Sequence, residues 1–452
     1  MKSLAFAAAA LLLVACNGGT SQGVPSEPAV RPQSGSPSSP ISHIVLVVQE
    51  NRTFNDLFAT FPGTVGTTTG KELIGSAVEP IDLTQEPLEA PQTLRHTYIG
   101  YKTAYNGGAM DAFNLIPFQT NGKYEGKLPY QYVNPADVAP YWDIATDYAI
   151  ADHMFTTQGS SSFPAHQDLI RGGTAIDSTE SLIDDPDKKP WGCPAGSSAS
   201  TEVITTKLKY VRHGPPPCTT YFPSSGNYET LQNLLDAKSV SWKYYTPAYQ
   251  GNTGAMWNAF LAIASVYDDK TEWDAHISQP ETNIFADITN GALPSVSWVI
   301  PDGINSDHPS YPSDTGPSWV ASVVNAIGES SYWNSTAVVI VWDDWGGFYD
   351  GVKPQKLDTQ GGPGFRVPML IVSPYVGKNE ISHNTFEFGS IVRFIEDNWN
   401  LGRLGTTDET TKSIASMFKF NQSPRSFIAI PAKHSKSFFL HQRPSGLPVD
   451  DE

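Results

Sequence analysis

Two pairs of residues raise the chemical question. In HIVLVVQENRTF the apolar run Ile44–Val48 stops at Gln49 and is followed at once by Glu50 and Asn51. In AVVIVWDDWGGFYDGV the run Ala337–Trp342 stops at Asp343 and Asp344. All four side chains offer hard oxygen donors. If folding brings the pairs together, three carboxylates repel one another unless a cation joins them. Taken singly, each pair is also what a helix N-cap or a solvated loop looks like. Both pairs standing at the ends of long apolar runs point instead to one divalent metal site. An all-oxygen set suits several hard or borderline cations, so the metal's identity stays open.

A metal-assisted reaction also needs a nucleophile and proton carriers. TTQGSSSFPAHQD holds three adjacent serines, Ser160, Ser161 and Ser162, in a setting unlike the G-x-S-x-G elbow. A helix ending near Gly172 and Gly173 would put these serines at its N-terminus, where free N–H groups favour anions. Two loops offer histidines. His308 follows the run VSWVI (296–300), and His383 follows VPMLIV (367–372).

The elements that must position these residues read as α/β. The four apolar runs suit strands buried on both faces. Trp319, Val320, Val323, Val324 and Ile327 fall at helical spacing, as do Phe388, Ile391, Val392, Ile395 and Trp399. Strand–helix–strand alternation predicts a largely parallel sheet with helices on both faces. Function in such sheets sits at the carboxyl ends of the strands, which assigns all four runs to one edge. Residues 175–235 differ: they are polar, contain GPPPC, and read as an insertion. Their Asp184, Asp185 and Asp187 read as a solvated loop face, with a cation site as the alternative.

The chain has 452 residues and a formal net charge of -17, which argues against a nucleic-acid partner. MKSLAFAAAALLLVAC reads as an export signal too short to span a bilayer. LVAC resembles a lipobox, so residues 1–16 are expected to be a lipoprotein signal with Cys16 lipidated and the product anchored at the cell envelope. Residues 17–40, rich in Gly, Ser and Pro, read as a flexible linker, and 42–440 as the folded domain. Setting Cys16 aside leaves Cys193 and Cys218, which an exported chain would keep as a disulfide. The oligomeric state is not legible.

HIVLVVQENRTFNDLFATFPG resembles the opening of the bacterial phosphoesterase family of phospholipases C and acid phosphatases. HTYIGYKTAYNGGAMDAF, GSSSFPAHQDLIRGG, NYETLQNLLDAKSVSWKYY, NSDHPS, VWDDWGGFYDGV, GFRVPMLIVSPYV and ISHNTFEFGSIVRFIEDNW continue the resemblance in order along residues 42 to 400. It implies a three-layer α/β/α sandwich of the alkaline-phosphatase-like superfamily. It also implies phosphoric ester hydrolysis at a site with Glu50, Asn51, Asp343 and Asp344 as metal ligands. By the same resemblance Ser162, two residues before Pro164, is the nucleophile; His308 and His383 are active-site histidines, and His96 lines the site. The expected substrate is a phosphate ester, a phospholipid among the candidates. Two positions depart from the family pattern: Gly351 stands where a His is common, and Pro164-Ala165-His166 where Pro-Asn-Arg is common. Rival readings are a sulfatase-type ester hydrolase, weakened by the missing Arg, and a non-catalytic lipid-anchored binding protein.

Overall fold

The computed structural model describes residues 35–89, 93–117, 123–218, 228–248, 256–309, 311, 313–355, 358 and 360–447. The expected signal and most of the expected linker lie outside these residues.

An eight-stranded sheet organises the chain. Its order is Ile277–Ser278, Trp242–Tyr245, Val296–Val299, His43–Gln49, Thr336–Trp342, Met369–Val372, Ala149–Ala151 and Glu380–Ser382. His43–Gln49 lies in the middle, parallel to Val296–Val299 on one side and Thr336–Trp342 on the other. Residues Ile44 to Val48 are fully buried, as a strand covered on both faces requires.

The register shows which helix covers which face. Leu46 is level with Trp298, and Gln49 is level with Trp342. Side chains alternate along a strand, so Leu46 and Gln49 point to opposite faces. The Trp298 indole donates to Leu169 O of the helix Ser162–Arg171. On the other face Gln49 donates to the Tyr141 hydroxyl of the helix Ala139–Asp147, whose ring packs edge-on against Trp342. Each helix has a companion: Phe388–Trp399 packs on Ser162–Arg171, and Gly316–Gly328 on Ala139–Asp147. The result is an α/β/α sandwich.

One strand runs against the rest. Met369–Val372 is antiparallel to both its neighbours, Thr336–Trp342 and Ala149–Ala151. This corrects the placement of VPMLIV: Ser373 and Pro374 lie at the edge opposite Glu50 and Asp343. The chain then reverses into Glu380–Ser382, which is parallel to Ala149–Ala151 and so runs in the main direction again. His383 therefore returns to the carboxyl edge on a different strand from the one expected.

Residues 175–235 carry a small sheet of Glu180–Leu182, Val203–Thr205 and Tyr210–Val211, with Cys193 and Cys218 disulfide-bonded. Only part of the acidic cluster is a solvated face: Asp187 is exposed and Asp185 half-buried, but Asp184 is not. Asp184 is buried, and its carboxylate accepts from the Tyr98 N–H (2.6 Å) and the Ser160 hydroxyl (3.1 Å). Among the described residues no helix is long and apolar enough to cross a membrane.

Candidate active site

The central strands deliver their oxygen donors together. Gln49 and Trp342 are level at the strand ends, and the Asp343 N–H continues the ladder by donating to Gln49 O at 2.9 Å. One residue on, Glu50 and Asp343 both turn to the opposite face, toward the helix Ser162–Arg171. Asn51 then takes a left-handed backbone (φ 58°), a conformation Asn tolerates better than most residues. Its N–H donates to Asp343 Oδ1 at 3.0 Å. The approach is close enough to need glycine opposite: Gly346 has φ 58°, and a Cβ there would fall 2.0 Å from Asn51 O. Its N–H donates to Asp344 Oδ1 at 2.7 Å, fixing that carboxylate. Glu50, Asn51, Asp343 and Asp344 are all 0% exposed.

The three serines are sorted by their partners. Ser160 is tied to Asp184 through both its oxygen and its hydroxyl, and Ser161 donates to Asp185 Oδ1 at 2.9 Å. Ser162, the first residue of its helix, instead lies 3.2 Å from Asp344 Oδ2 and 3.3 Å from Asn51 Oδ1. Thus the acidic residues of the insertion hold two serines away and leave one hydroxyl facing the carboxylates.

His96 and His308 also border the site, with His96 Nε2 3.5 Å from Asp344 Oδ2. The Nδ1 of His96 donates to Leu94 O at 2.8 Å, and that of His308 donates to Pro309 O. A neutral imidazole anchored through Nδ1–H presents an unprotonated Nε2. Both Nε2 atoms face the Asn51 carboxamide nitrogen, at 3.2 and 3.0 Å. The carboxamide oxygen consequently points into the acidic cluster, 2.9 Å from Asp343 Oδ1 and 3.2 Å from Glu50 Oε2. Oxygens facing oxygens without a shared proton are repulsive. Reversing the amide would cure this only if both histidines carried a proton on Nε2 as well. Two unit charges about 4 Å apart interact by about 4 kcal/mol at an effective dielectric of 20, a large share of the roughly 5–15 kcal/mol that stabilises a domain. The donor set therefore fits a divalent cation held by Glu50, Asn51, Asp343 and Asp344, which turns each of these repulsions into coordination.

Two outcomes differ from the sequence reading. The structure does not bring His383 into this group. Its Nδ1 bonds Asp152 Oδ2 at 2.8 Å, its ring stands 6.4 Å from that of His153, and its side chain is 58% exposed. The strand before it lies three places from Thr336–Trp342, about 14 Å at normal strand spacing. Conversely, His166, which stands where the family commonly has Arg, joins the group. Its Nε2 lies 3.0 Å from Glu50 Oε1 and 3.9 Å from Asp343 Oδ2. The signal was its spacing: residues 162 and 166 share one helix face, a turn apart. Gly351 is exposed beside buried Asp350, whose carboxylate is held by Arg366 at 2.9 Å.

Known proteins supply the context for this geometry. The family model described as Phosphoesterase family matches residues 41–402. Phospholipase C B of Mycobacterium tuberculosis is 25% identical over 466 aligned positions, covering 90% of this chain and 82% of that protein. Non-specific phospholipase C6 of Arabidopsis thaliana is 31% identical, covering 80% of this chain and 69% of that protein. Among solved structures, an alkaline phosphatase superfamily protein from Vibrio parahaemolyticus aligns at 11% identity with a TM-score of 0.35, covering 85% of this chain and 74% of that one.

Proposed function

The chain belongs to the phosphoesterase family and is a phosphoric ester hydrolase; from that premise we propose that it works through Ser162 as a covalent nucleophile beside a divalent cation. The observation that carries the reading is the selection of Ser162. Of three adjacent hydroxyls it is the one within 3.3 Å of both Asn51 and Asp344.

A divalent cation bound by Glu50, Asn51, Asp343 and Asp344 would polarise a phosphoryl oxygen and acidify the Ser162 hydroxyl. The protein's own groups do the rest. Ser162 Oγ passes its proton to Asp344 Oδ2 and bonds phosphorus as the bond to the leaving oxygen breaks. His308, neutral at rest and steered by its Nδ1 contact to Pro309, takes a solvent proton onto Nε2 as the anionic substrate arrives and gives it to the leaving oxygen; the proton it later takes from water returns to solvent as the product leaves. In the second half a water attacks the phosphoserine and its proton goes to His308. The bond from phosphorus to Ser162 breaks, and Oγ recovers its proton from Asp344. His96 holds the Asn51 carboxamide and so keeps its oxygen turned toward the carboxylates. Burial of the whole group excludes bulk water and strengthens each contact.

The phospholipase C relatives favour a phospholipid or related phosphodiester as substrate, with a phosphomonoester as the second candidate. Turnover of p-nitrophenyl phosphate, p-nitrophenyl phosphorylcholine and a simple diester, each with and without chelator, separates these. Hydrolysis that resists full chelation would contradict the cation. Attachment to the envelope through lipidated Cys16 belongs to the same proposal and rests on LVAC. Cys16→Ser is expected to free the protein from membranes or block its processing, and unchanged partitioning would overturn the anchor.

A further inference from the structure

We infer that His166 is a nitrogen ligand of the same cation, which makes the site a mixed nitrogen–oxygen one that prefers a borderline transition metal to calcium or magnesium. The inference rests on the cation reading above and deepens it.

The first support is spacing. His166 Nε2 is 3.0 Å from Glu50 Oε1 and 3.9 Å from Asp343 Oδ2, and one donor atom from each residue lies within 4.8 Å of the others. Ligands about 2.1 Å from a metal stand about 3.0 Å apart when at right angles and about 4.2 Å apart when opposite. The observed separations fall within that range.

The second support is which nitrogen faces the carboxylates. The Tyr244 hydroxyl donates to Trp257 O at 2.6 Å and lies 3.5 Å from His166 Nδ1. With its own proton spent on Trp257, the tyrosine oxygen meets Nδ1 as an acceptor, which favours the Nδ1–H form. The lone pair of a neutral His166 is then on Nε2, aimed between two carboxylate oxygens, where a metal ion suits it. An arginine at this position cannot serve in this way, because its guanidinium does not lose a proton.

The third support is placement on a rigid element. His166 lies one helical turn after Ser162, and its side chain is 1% exposed. Imidazole suits zinc, copper, iron and nickel, whereas calcium, magnesium and manganese take oxygen.

The test uses the full chain, stripped by chelation, in wild-type form and as His166→Asn and His166→Gln. Calorimetric titration with zinc and with calcium gives two affinities for each protein. The expected result is at least a tenfold loss of zinc affinity in both variants, with calcium affinity changed less than threefold. Equal changes for the two metals, or none, would overturn the ligand role. A wild-type protein that binds neither metal would overturn the cation reading itself and this inference with it. If neither variant folds, the wild type decides alone. Pulsed EPR of its copper(II) form is expected to show the remote nitrogen of a coordinated imidazole, and the absence of that nitrogen would overturn the inference.

Discussion

The carboxyl edge of the sheet carries two clusters built from the same residue types, and they solve opposite electrostatic problems. At the strand Ala149–Ala151, Asp152 sits between His153 and His383, one imidazole on each carboxylate oxygen, at 2.6 and 2.8 Å. One carboxylate and two bases balance with a single proton. Burial pushes Asp152 up, but the bonds and charge of His153, the Val65 N–H and His383 outweigh it and hold the carboxyl below its ordinary value. Near the strands His43–Gln49 and Thr336–Trp342 the buried carboxylates of Glu50 and Asp343 gather with the His166 imidazole and the Asn51 carboxamide, Asp344 has His96 Nε2 at 3.5 Å, and His96 and His308 spend Nδ1–H on backbone carbonyls. The difference lies in the donors: one carboxylate between two imidazoles in the first cluster, and carboxylate, carboxamide and imidazole donors converging in the second.

The comparison breaks first at its central side. Asp343→Ala and Asp344→Ala are expected to lower kcat by several orders of magnitude, as removal of catalytic groups does in other hydrolases, and to reduce bound metal measured by elemental analysis. Metal content equal to wild type in both variants would mean that the balance argument is wrong. The serine loop gives the next effect. Ser160→Ala and Ser161→Ala remove anchors rather than the nucleophile, so each is expected to cost about tenfold in kcat through misplacement of Ser162. A loss in Ser161→Ala as deep as in Ser162→Ala would shift the nucleophile by one residue.

The self-balanced cluster should respond in stability instead. His383→Ala is expected to leave kcat within about threefold, since its partners are Asp152 and His153 and an exposed pair contributes little. Asp152→Asn is expected to cost about 1–3 kcal/mol near neutral pH in denaturant unfolding. The pH dependence has a definite sign. A carboxyl held below its unfolded value stabilises the fold above that value, and the benefit is lost as pH falls through the folded one. The gap between wild type and Asp152→Asn should therefore close below about pH 4. A gap that widened on acidification would contradict the assignment.

Much of this was legible in the sequence. Long apolar runs ending in Glu50–Asn51 and Asp343–Asp344 announced two central strands and their products, because full burial leaves an unbroken apolar signature. Short strands such as Ala149–Ala151 and Ile277–Ser278 left none, being too brief to show a period. The direction of Met369–Val372 was also hidden, since a buried antiparallel strand reads like a parallel one. His383 reaches the expected edge all the same, but on a strand three places from Thr336–Trp342, a lateral distance that no sequence pattern encodes. The roles of Asp184 and Asp185 depend on a contact across the insertion that no local pattern encodes. The position of His166 was visible as a helical spacing from Ser162 but carries meaning only once Glu50 is known to turn toward that helix.

The claim on which the account turns is a covalent phosphoserine at residue 162. Enzyme mixed with a p-nitrophenyl phosphate ester and quenched in acid within one turnover should give, on peptide mass spectrometry, one added phosphoryl group on Ser162, and none after metal removal. Phosphate on Ser160 or Ser161, or a Ser162→Ala variant that keeps wild-type kcat with no labelled peptide, would contradict the covalent mechanism and make a water molecule the nucleophile.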